Sequence, residues 1–451
     1  MYKIVFTALS AVSFLSCVQL RQQGVNKFFD PIHLRIADFQ DKRLSDSLYL
    51  YFDHSAAEYR KAAVLAFASV RDTLAINALN KVMVHDSHAD VRRAAAFALG
   101  QLGNTRAATL IQQQLANEKD SIVRIDMIEA YGKTTSAWKL DITEQPAEGI
   151  ARSVYRSVIR HKIDSSYYDA AFSFLTNKNS ADTRLYGAHF FARLPRVSRI
   201  IEQKLIQAEA ACTDSDSCMA LALALRKCKS DSALANLEKT ILTSTDGRVR
   251  TNAIRSLQGY PFQKTKSILI TALKDADINA GIAASEVINE VISAKDWIEI
   301  ATLARHTNNY RIQANLYQAA LSVSSNEDLA TEITDKINNT TNPYQKSALI
   351  TSLHPYVPAA ALIFKNVLSN TPVVRTSAAS ALVGMNYLNK NNNDLISVFA
   401  RYYEEAIRAG DAAVIGIIAA ALADSTLGYK AIITDFNFLK EARKKLSLPK
   451  D

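Results

Sequence analysis

The chain contains little glycine and proline, 13 and 9 residues out of 451. Clusters of these two residues usually bound the short strands of β-rich proteins. No stretch combines such boundaries with alternating β-branched and aromatic residues, so we expect no strand to interrupt the helices. Apolar residues nevertheless make up 48% of the sequence, enough to give many helices a buried face. The sequence predicts an all-α chain from about residue 30 to its end.

Motifs for catalysis are also absent. The chain has neither a glycine-rich phosphate loop nor a Gly-x-Ser-x-Gly elbow, and no histidine is positioned by the sequence to activate a cysteine. The densest group of metal-ligand residues lies in a helix-capping loop and lacks the further ligands that a zinc site needs. That group is His85, Asp86, His88 and Asp90. We predict no catalytic residue, no metal, no cofactor and no small-molecule substrate.

The formal net charge of +9 is modest for a chain of this length and is spread along it. A weakly basic surface can dock anionic partners, but this distribution favours a solvated surface. The two tryptophans, Trp138 and Trp297, lie far apart, and no basic stretch is interleaved with aromatic residues. Stacking platforms for single-stranded nucleic acid need that interleaving. We predict no nucleic-acid partner.

Residues 85–115 predict two consecutive helices that form a helix–turn–helix pair. The first has one apolar stripe at helical spacing, and Asp90, with Ser87 three residues before it, is expected to cap its start. Gly103 and Asn104 supply the turn, and a shorter amphipathic helix follows. The apolar faces are too wide for the pair to bury alone. The pair therefore needs neighbours of the same kind.

Such neighbours are indicated by an arginine that returns every 32 residues early in the chain and about every 64 residues later. A fixed period of this length is typical of a solenoid of stacked units. Each arginine either binds the adjacent repeat and fixes stacking, which we favour, or lines a concave surface that binds an acidic partner. The predicted ladder consists of Arg60, Arg92, Arg124, Arg156, Arg184, Arg250, Arg311 and Arg375.

The segment from Asp90 to Asn104, with its Val-Arg dipeptide and closing Leu-Gly-x-Leu-Gly, resembles the short HEAT-like repeat first described in phycobilin lyases. The resemblance implies an α-solenoid of stacked HEAT-like helix pairs over residues 28–451. Signatures of tetratricopeptide and ankyrin repeats are absent. The sequence also contains no His-Glu dipeptide, which the HEAT-fold di-iron hydroxylases carry in pairs, so that enzyme class is excluded.

The first 17 residues predict an export signal. Lys3 precedes a 13-residue apolar run that is too short to span a bilayer. The run ends in Phe-Leu-Ser-Cys, which resembles the lipobox of bacterial lipoproteins and implies lipidation of Cys17. Residues 18–27 would then form a tether. The alternatives are an ordinary cleaved signal or an N-terminal helix that contains a cysteine.

Three further cysteines, Cys212, Cys218 and Cys228, leave two arrangements open. In an oxidising compartment one pair can form a disulfide, and Cys212 with Cys218 is the favoured pair because a polar loop separates them. Cys218 also begins an Ala-Leu stripe, where a buried free thiol fits equally well. An odd number of cysteines leaves one thiol free in either case.

The whole chain resembles the N-terminal HEAT part of bacterial envelope lipoproteins that continue into a cyclophilin-type peptidyl-prolyl isomerase. It lacks the Phe-His-Arg and Gln-Gly-Gly stretches of the isomerase. The resemblance implies a non-catalytic scaffold that is lipid-anchored in the bacterial cell envelope, on the periplasmic face or outer membrane, and binds a protein or peptide. The alternative is the substrate-binding half of such an isomerase, with the catalytic domain missing or supplied in trans.

Overall fold

A computed structural model describes residues 29–135, 145–160, 167–367 and 369–388, together with Arg408 and Gly410. Within these ranges all regular structure is helical, as the shortage of strand signals predicts. The chain divides into two compact units, residues 1–195 and residues 196–451, which we describe separately. The predicted signal with Cys17 and the tether over 18–27 lie outside the described residues.

Unit 1 has a front row of helices in which each helix packs against the next one of the row. The row consists of α1 (Pro31–Asp41), α3 (Ala57–Val70), α5 (Ala89–Leu102), α7 (Ser121–Thr134), α8 (Ala147–Ile159) and α10 (Ala181–Arg193). The intervening helices are α2 (Ser45–Tyr49), α4 (Ile76–His85), α6 (Thr105–Leu115) and α9 (Tyr168–Phe174).

Unit 2 repeats the arrangement with its own front row. That row consists of α12 (Ser215–Leu225), α14 (Gly247–Ser256), α16 (Ile278–Val291), α18 (Tyr310–Ser324), α20 (Pro343–Ser352) and α22 (Pro372–Leu388). The helices behind it are α11 (Arg199–Ala210), α13 (Asp231–Thr243), α15 (Phe262–Ala272), α17 (Trp297–His306), α19 (Glu327–Asn339) and α21 (Ala360–Val367). Each unit is therefore a stack of helix pairs, the packing of an α-solenoid.

The helices pair one element earlier than the sequence predicts. In the described repeats of unit 1, α4 packs along α5 and α6 packs along α7, whereas α5 and α6 touch only weakly. In unit 2, α13 pairs with α14 and α17 with α18 in the same way. The two-residue turn at Gly103 and Asn104 connects α5 and α6 without making them partners. The two predicted helices and the turn between them are confirmed, but the helices are not each other's main packing partners, because a short connection does not decide which apolar faces meet.

Small residues let the front-row helices approach closely. In α5, Ala95 and Ala98 are completely buried. A Cβ on Gly100 would lie 3.0 Å from the Cα of Ala130 in α7. A Cβ on Gly132 would lie only 2.3 Å from the backbone oxygen of Ser153 in α8. Packed interiors have no room for an added methyl group. The short distance between these helices therefore requires glycine at both positions.

Polar residues at the helix starts explain where the chain changes direction. Most front-row helices begin after an Asp, Asn or Ser whose side chain accepts a hydrogen bond from a backbone N–H of the first turn, which satisfies an otherwise unpaired donor. These caps are Asp30, Asp120, Ser180, Asp214, Asp246, Asp277, Asn309 and Asn342.

Asp90 departs from the predicted capping role. The N-cap of α5 is His88, which makes no side-chain cap hydrogen bond. Asp90 lies in the first turn instead, where its carboxylate accepts from Lys61 at 3.0 Å. Within the described ranges, no helix combines the length and apolar character needed to cross a membrane.

Candidate functional site

Six of the eight predicted ladder arginines occupy one position, the fourth residue after the N-cap of a front-row helix. Their backbone N–H groups bond to the carbonyl oxygens of the residues four positions earlier. Because this position is set by the start of each helix, the side chains return to equivalent places in successive repeats. We call it the staple position. Its arginines are Arg60, Arg92, Arg124, Arg184, Arg250 and Arg375.

The guanidinium group at the staple position fastens the loop that leads into its own helix. Arg60, Arg92, Arg250 and Arg375 each donate from Nη1 to the carbonyl of the residue six positions earlier, at distances of 2.8, 3.0, 2.9 and 3.0 Å. Arg184 donates to the carbonyl of Asn179, five positions earlier, at 2.6 Å. These bonds fix the loop conformation at the start of each helix.

Three of these arginines also bind the next repeat through a buried carboxylate. Arg92 donates from Nε and Nη2 to both oxygens of Glu118, at 2.9 and 3.0 Å. Glu118 in turn accepts the backbone N–H of Asp120, the N-cap of the following front-row helix, at 2.9 Å. The same two-pronged geometry joins Arg60 to Asp86 and Arg250 to Asp275. Each staple therefore joins two consecutive repeats.

The electrostatics of the staples agree with this structural role. The hydrogen bond from Arg250 holds the pKa of Asp275 below its usual value. For Asp86 and Glu118, burial acts to raise the pKa, but the hydrogen bonds from Arg60 and Arg92 and from backbone N–H groups outweigh it and the pKa is lowered. These three staples stay charged and have their charged partners within the protein, which supports stacking over partner binding.

Arg156 and Arg311 do not occupy the staple position, although Arg156 still makes the predicted contact with a carboxylate of the adjacent front-row helix. Arg156 is the tenth residue after Pro146, the N-cap of α8, and it binds Glu129 of α7 at 2.9 Å. Arg311 is the second residue of α18 and is exposed. The staple position of α18 holds Gln313, whose buried side chain donates to the carbonyl of Ala304 at 3.0 Å.

In α12 a disulfide replaces the staple. Cys218 is the fourth residue after the N-cap Asp214, and it is bridged to Cys212, six positions earlier, with 5.6 Å between their Cα atoms. The bridge joins the same two positions that an arginine and a carbonyl join elsewhere. The favoured pairing is confirmed. Cys228 remains a thiol, and burial raises its pKa to about 12.

With these arginines bound within the stack, one surface of unit 1 that stays open to partners is the exposed face of the front row. The ninth residue after the N-cap points there and is Leu65 in α3 and Phe97 in α5, which are 36% and 41% exposed. Leu34 of α1, 47% exposed, precedes them. Two adjoining grooves of about 390 and 310 Å³ share Leu65 and Lys61 in their walls. We call this surface the rung face.

Ion pairs cross the rung face between successive helices. Lys61 of α3 binds Asp90 of α5, and Arg93 of α5 binds Asp126 of α7 at 2.6 Å. These pairs are partly exposed, and each contributes little to stability. Positive and negative side chains alternate beside the apolar side chains, so a partner could make both apolar and charged contacts with this face.

At the α7–α8 end of the rung face, three cations surround one carboxylate. Oε1 of Glu129 lies 2.9 Å from Nζ of Lys133 and 2.9 Å from Nε of Arg156, while Arg152 lies 3.4 Å from Oε2. Burial acts to raise the pKa of Glu129, but the neighbouring cations outweigh it and the pKa is lowered. Burial also lowers the pKa of Lys133.

Aromatic rings border this charged cluster. Nζ of Lys133 lies 4.9 Å from the ring centre of Phe97, and the guanidinium carbon of Arg152 lies 5.3 Å from that of Tyr186 in α10. The ring of Tyr155 lies 5.7 Å from Tyr186. The sequence pattern did not predict this surface. A signal was present in the sequence, since Leu65, Phe97 and Glu129 follow one another at intervals of 32 residues. However, an apolar residue within an apolar stripe predicts a core position.

The residues for which we predicted no metal site lie around the loop before α5, and two of them contact Arg60. Asp86 is committed to Arg60, and Nδ1 of His88 lies 3.2 Å from Nη2 of Arg60. Over the described residues, no three ligand side chains converge as a metal ion requires. The cluster of His85, Asp86, His88 and Asp90 thus contributes to helix starts and stacking.

The paired helices and their staples define an α-solenoid of HEAT-like repeats. A family model described as HEAT repeats matches residues 46–132, the part of unit 1 where the arginine spacing is most regular. No curated protein matches the chain.

Solved structures with similarity to this chain match it at low identity and low TM-score. A homology model of the full-length AP-3 complex in an intermediate open conformation contains a chain with 14% identity and a TM-score of 0.45, covering 92% of this chain and 89% of that one. The crystal structure of Kap121p has 13% identity and a TM-score of 0.43, covering 96% and 53%. The karyopherin Kap121p bound to the SUMO protease Ulp1p has 12% identity and the same TM-score, covering 93% and 51%. This chain thus spans about half of the Kap121p chain.

Proposed function

We propose that the protein is a non-catalytic scaffold that binds a protein or peptide partner on the rung face of unit 1. The observation that carries the proposal is the repeated exposure of a large apolar side chain, Leu65 and then Phe97, at one helix position. Staples hold these helices in fixed register, so the exposed side chains form a preorganised surface. Apolar patches rimmed by polar residues typically mark interaction sites, and preorganisation lowers the entropic cost of binding.

We further propose that the scaffold is tethered in the bacterial cell envelope, on the periplasmic face or outer membrane, by a lipid on Cys17. The sequence of residues 1–17 supports an export signal that ends in a lipobox. The Cys212–Cys218 disulfide supports an oxidising compartment, since disulfides are rare in reducing ones. Acylation at more than one position would give the stable anchoring that a single chain does not.

Site-specific crosslinking in cells tests the scaffold proposal. A photoreactive amino acid is placed at Phe97, and a control is placed at Leu242, an apolar residue of α13 that is 64% exposed and lies behind the front row of unit 2. One stoichiometric crosslinked partner from position 97, and none from 242, is the expected result. Equal labelling of many proteins from both positions contradicts it. A partner that carries a cyclophilin domain would favour the alternative, the substrate-binding half of an isomerase.

Membrane fractionation tests the tether. The wild-type chain should sediment with membranes, and Cys17→Ser should release it into the soluble envelope fraction. A Cys228→Ser variant serves as the control for cysteine replacement and should remain membrane-bound. Retention of Cys17→Ser on the membrane would overturn the lipid anchor without affecting the scaffold proposal.

A further inference from the structure

The α7–α8 end of the rung face carries more positive than negative charge. Lys133, Arg152, Arg156 and Arg160 gather there, against the carboxylates of Glu129 and Glu148. Asp126 lies 3.7 Å from Arg152 but is bound more closely by Arg93. Two positive charges are therefore in excess.

Arg160 is the uncompensated member of this group. It follows α8 directly and is half-buried. Its guanidinium group lies over the turn at the end of α5, where a Cβ on Gly103 would be 3.4 Å from Nη1. Among the described residues, no carboxylate lies within 4 Å of it. Burial and the nearby charges of Arg156 and Arg71 lower the pKa of Arg160, so like charges are held together here.

A ligand with an acidic group would relieve this repulsion. Charged side chains that are partly desolvated bind an anion more strongly than fully solvated ones, and an arginine binds a carboxylate through two parallel hydrogen bonds. The excess charge lies next to Phe97, which Lys133 covers. The groove between Phe97 and Leu65 ends at Lys133 and Arg152, and Lys133 is close enough to Arg160 for their charges to interact, so a ligand in the groove could extend a carboxylate toward Arg160.

We infer that the rung face binds an extended acidic peptide, with its apolar side chains on Leu65 and Phe97 and a carboxylate between Arg156 and Arg160. This inference rests on the proposed scaffold function and names the chemistry of its partner. Stacked helices are about 10 Å apart, which three residues of a polyproline-type chain span while returning to the same side of that chain. A peptide with an apolar residue at every third position therefore matches the spacing of the apolar side chains.

The surrounding charges favour a peptide over a polyanion. Asp90 and Asp126 lie beside the apolar groove, where they would repel the regularly spaced phosphates of a nucleic acid or an anionic membrane surface. A peptide can place one or two carboxylates at the cationic end and apolar or basic groups further along. The alternating ion pairs thus select against uniform negative charge.

Selection from a phage-displayed library of random dodecapeptides tests this inference on the full chain in detergent. Enriched peptides should carry Asp or Glu at one end and apolar residues at three-residue spacing. Their labelled synthetic copies are then titrated by fluorescence anisotropy against wild type and Arg160→Gln. Arg160 makes no ion pair in the described structure, so its replacement should leave the fold intact, which circular dichroism checks. The matched control is Arg311→Gln, an exposed arginine of unit 2.

We expect Arg160→Gln to weaken the acidic peptides about tenfold, the loss typical of one charge-assisted contact, and Arg311→Gln to have no effect. The same peptides with amide side chains in place of the carboxylates should bind more weakly and should not respond to Arg160→Gln. Enriched peptides without acidic residues, or affinity unchanged in Arg160→Gln, would overturn the inference. Binding of phosphatidylglycerol vesicles with the same dependence on Arg160 would also overturn the inference.

A further variant separates the failure of this inference from the failure of the scaffold proposal. If selected peptides lose binding in Phe97→Ser but not in Arg160→Gln, the rung face binds peptides and the acidic site is wrong. If the library yields no enriched peptide, the acidic-peptide inference fails, and the crosslinking at Phe97 decides whether a folded protein partner binds instead.

Discussion

Replacement of Arg92 by alanine should destabilise the α5–α7 region far more than replacement of the adjacent Arg93. Arg92 is at the staple position, where its partner Glu118 is only 5% exposed. Arg93 faces the surface at 40% exposure and binds Asp126. The two arginines are neighbours in one helix and each binds a carboxylate of a later repeat. Arg92 differs in being more buried, in binding its carboxylate through two hydrogen bonds and in donating to the carbonyl of Asp86.

The expected magnitude follows from what each truncation leaves behind. Without Arg92, Glu118 keeps backbone donors such as the N–H of Asp120 but loses both charge-assisted hydrogen bonds. Breaking a buried ion pair from one side costs about 3–5 kcal/mol because a charge is left unpaired. Since Arg92 is itself partly exposed, we expect the lower end, about 3 kcal/mol. The exposed pair of Arg93 should cost only about 0.5 kcal/mol.

Hydrogen exchange measured by mass spectrometry resolves this difference, because the stability of stacked repeats is partly local. Amides of α5 and α7 should exchange about 100-fold faster in Arg92→Ala, which corresponds to the expected free energy, and only slightly faster in Arg93→Ala. The double variant Arg92→Met with Glu118→Met should recover most of the loss, since it removes both charges together. Equal effects of the two single variants would refute the staple as the stabilising element.

Three further perturbations test other parts of the architecture. Reduction of the disulfide, or Cys218→Ser, should remove roughly 2 kcal/mol from unit 2; thermal unfolding should show the loss, and a Cys228→Ser protein that lost its response to reductant would contradict the pairing. The lowered pKa of Asp275 means that its ionised form stabilises the fold above its unfolded pKa and that this contribution disappears as pH falls through the folded pKa. Urea midpoints should therefore decline below about pH 4, less steeply in Asp275→Asn; parallel curves would argue against the staple. Gly132→Ala should cost about 1–3 kcal/mol, because its methyl group would meet the backbone oxygen of Ser153; an unchanged urea midpoint would show that α7 and α8 can separate freely.

Much of the fold could be predicted from the sequence because it depends on local, repeated signals. Apolar periodicity identified the front-row helices, and the arginine at the staple position recurs in a fixed local context. The disulfide was predictable for the same reason, since Cys212 and Cys218 flank one helix start. The helix pairing was not predictable, because α4 and α6 have equally apolar faces and only tertiary packing decides which neighbour each one covers.

The location of Arg156 outside the staple position shows what the 32-residue period measures. Successive N-caps at Ala56, His88 and Asp120 are 32 residues apart, but the next front-row helix begins after Pro146, only 26 residues later. Counting 32 residues from Arg124 therefore reaches the last turn of α8 instead of its staple position. The staple position is set by the start of each helix and not by a fixed number of residues along the chain.

The contrast between charged and apolar residues also explains why the rung face is harder to predict from the sequence than the staples are. A staple residue is recognisable because its charge stands out beside an apolar stripe, and its partners lie at fixed distances along the chain. Leu65 and Phe97 carry no such contrast, since a large apolar residue in a repeat helix fits the core equally well. Only the structure shows that the ninth residue after the N-cap turns outward. The ordered arginines thus build the frame, and the partner contacts that we propose involve residues that the period alone would assign to the interior.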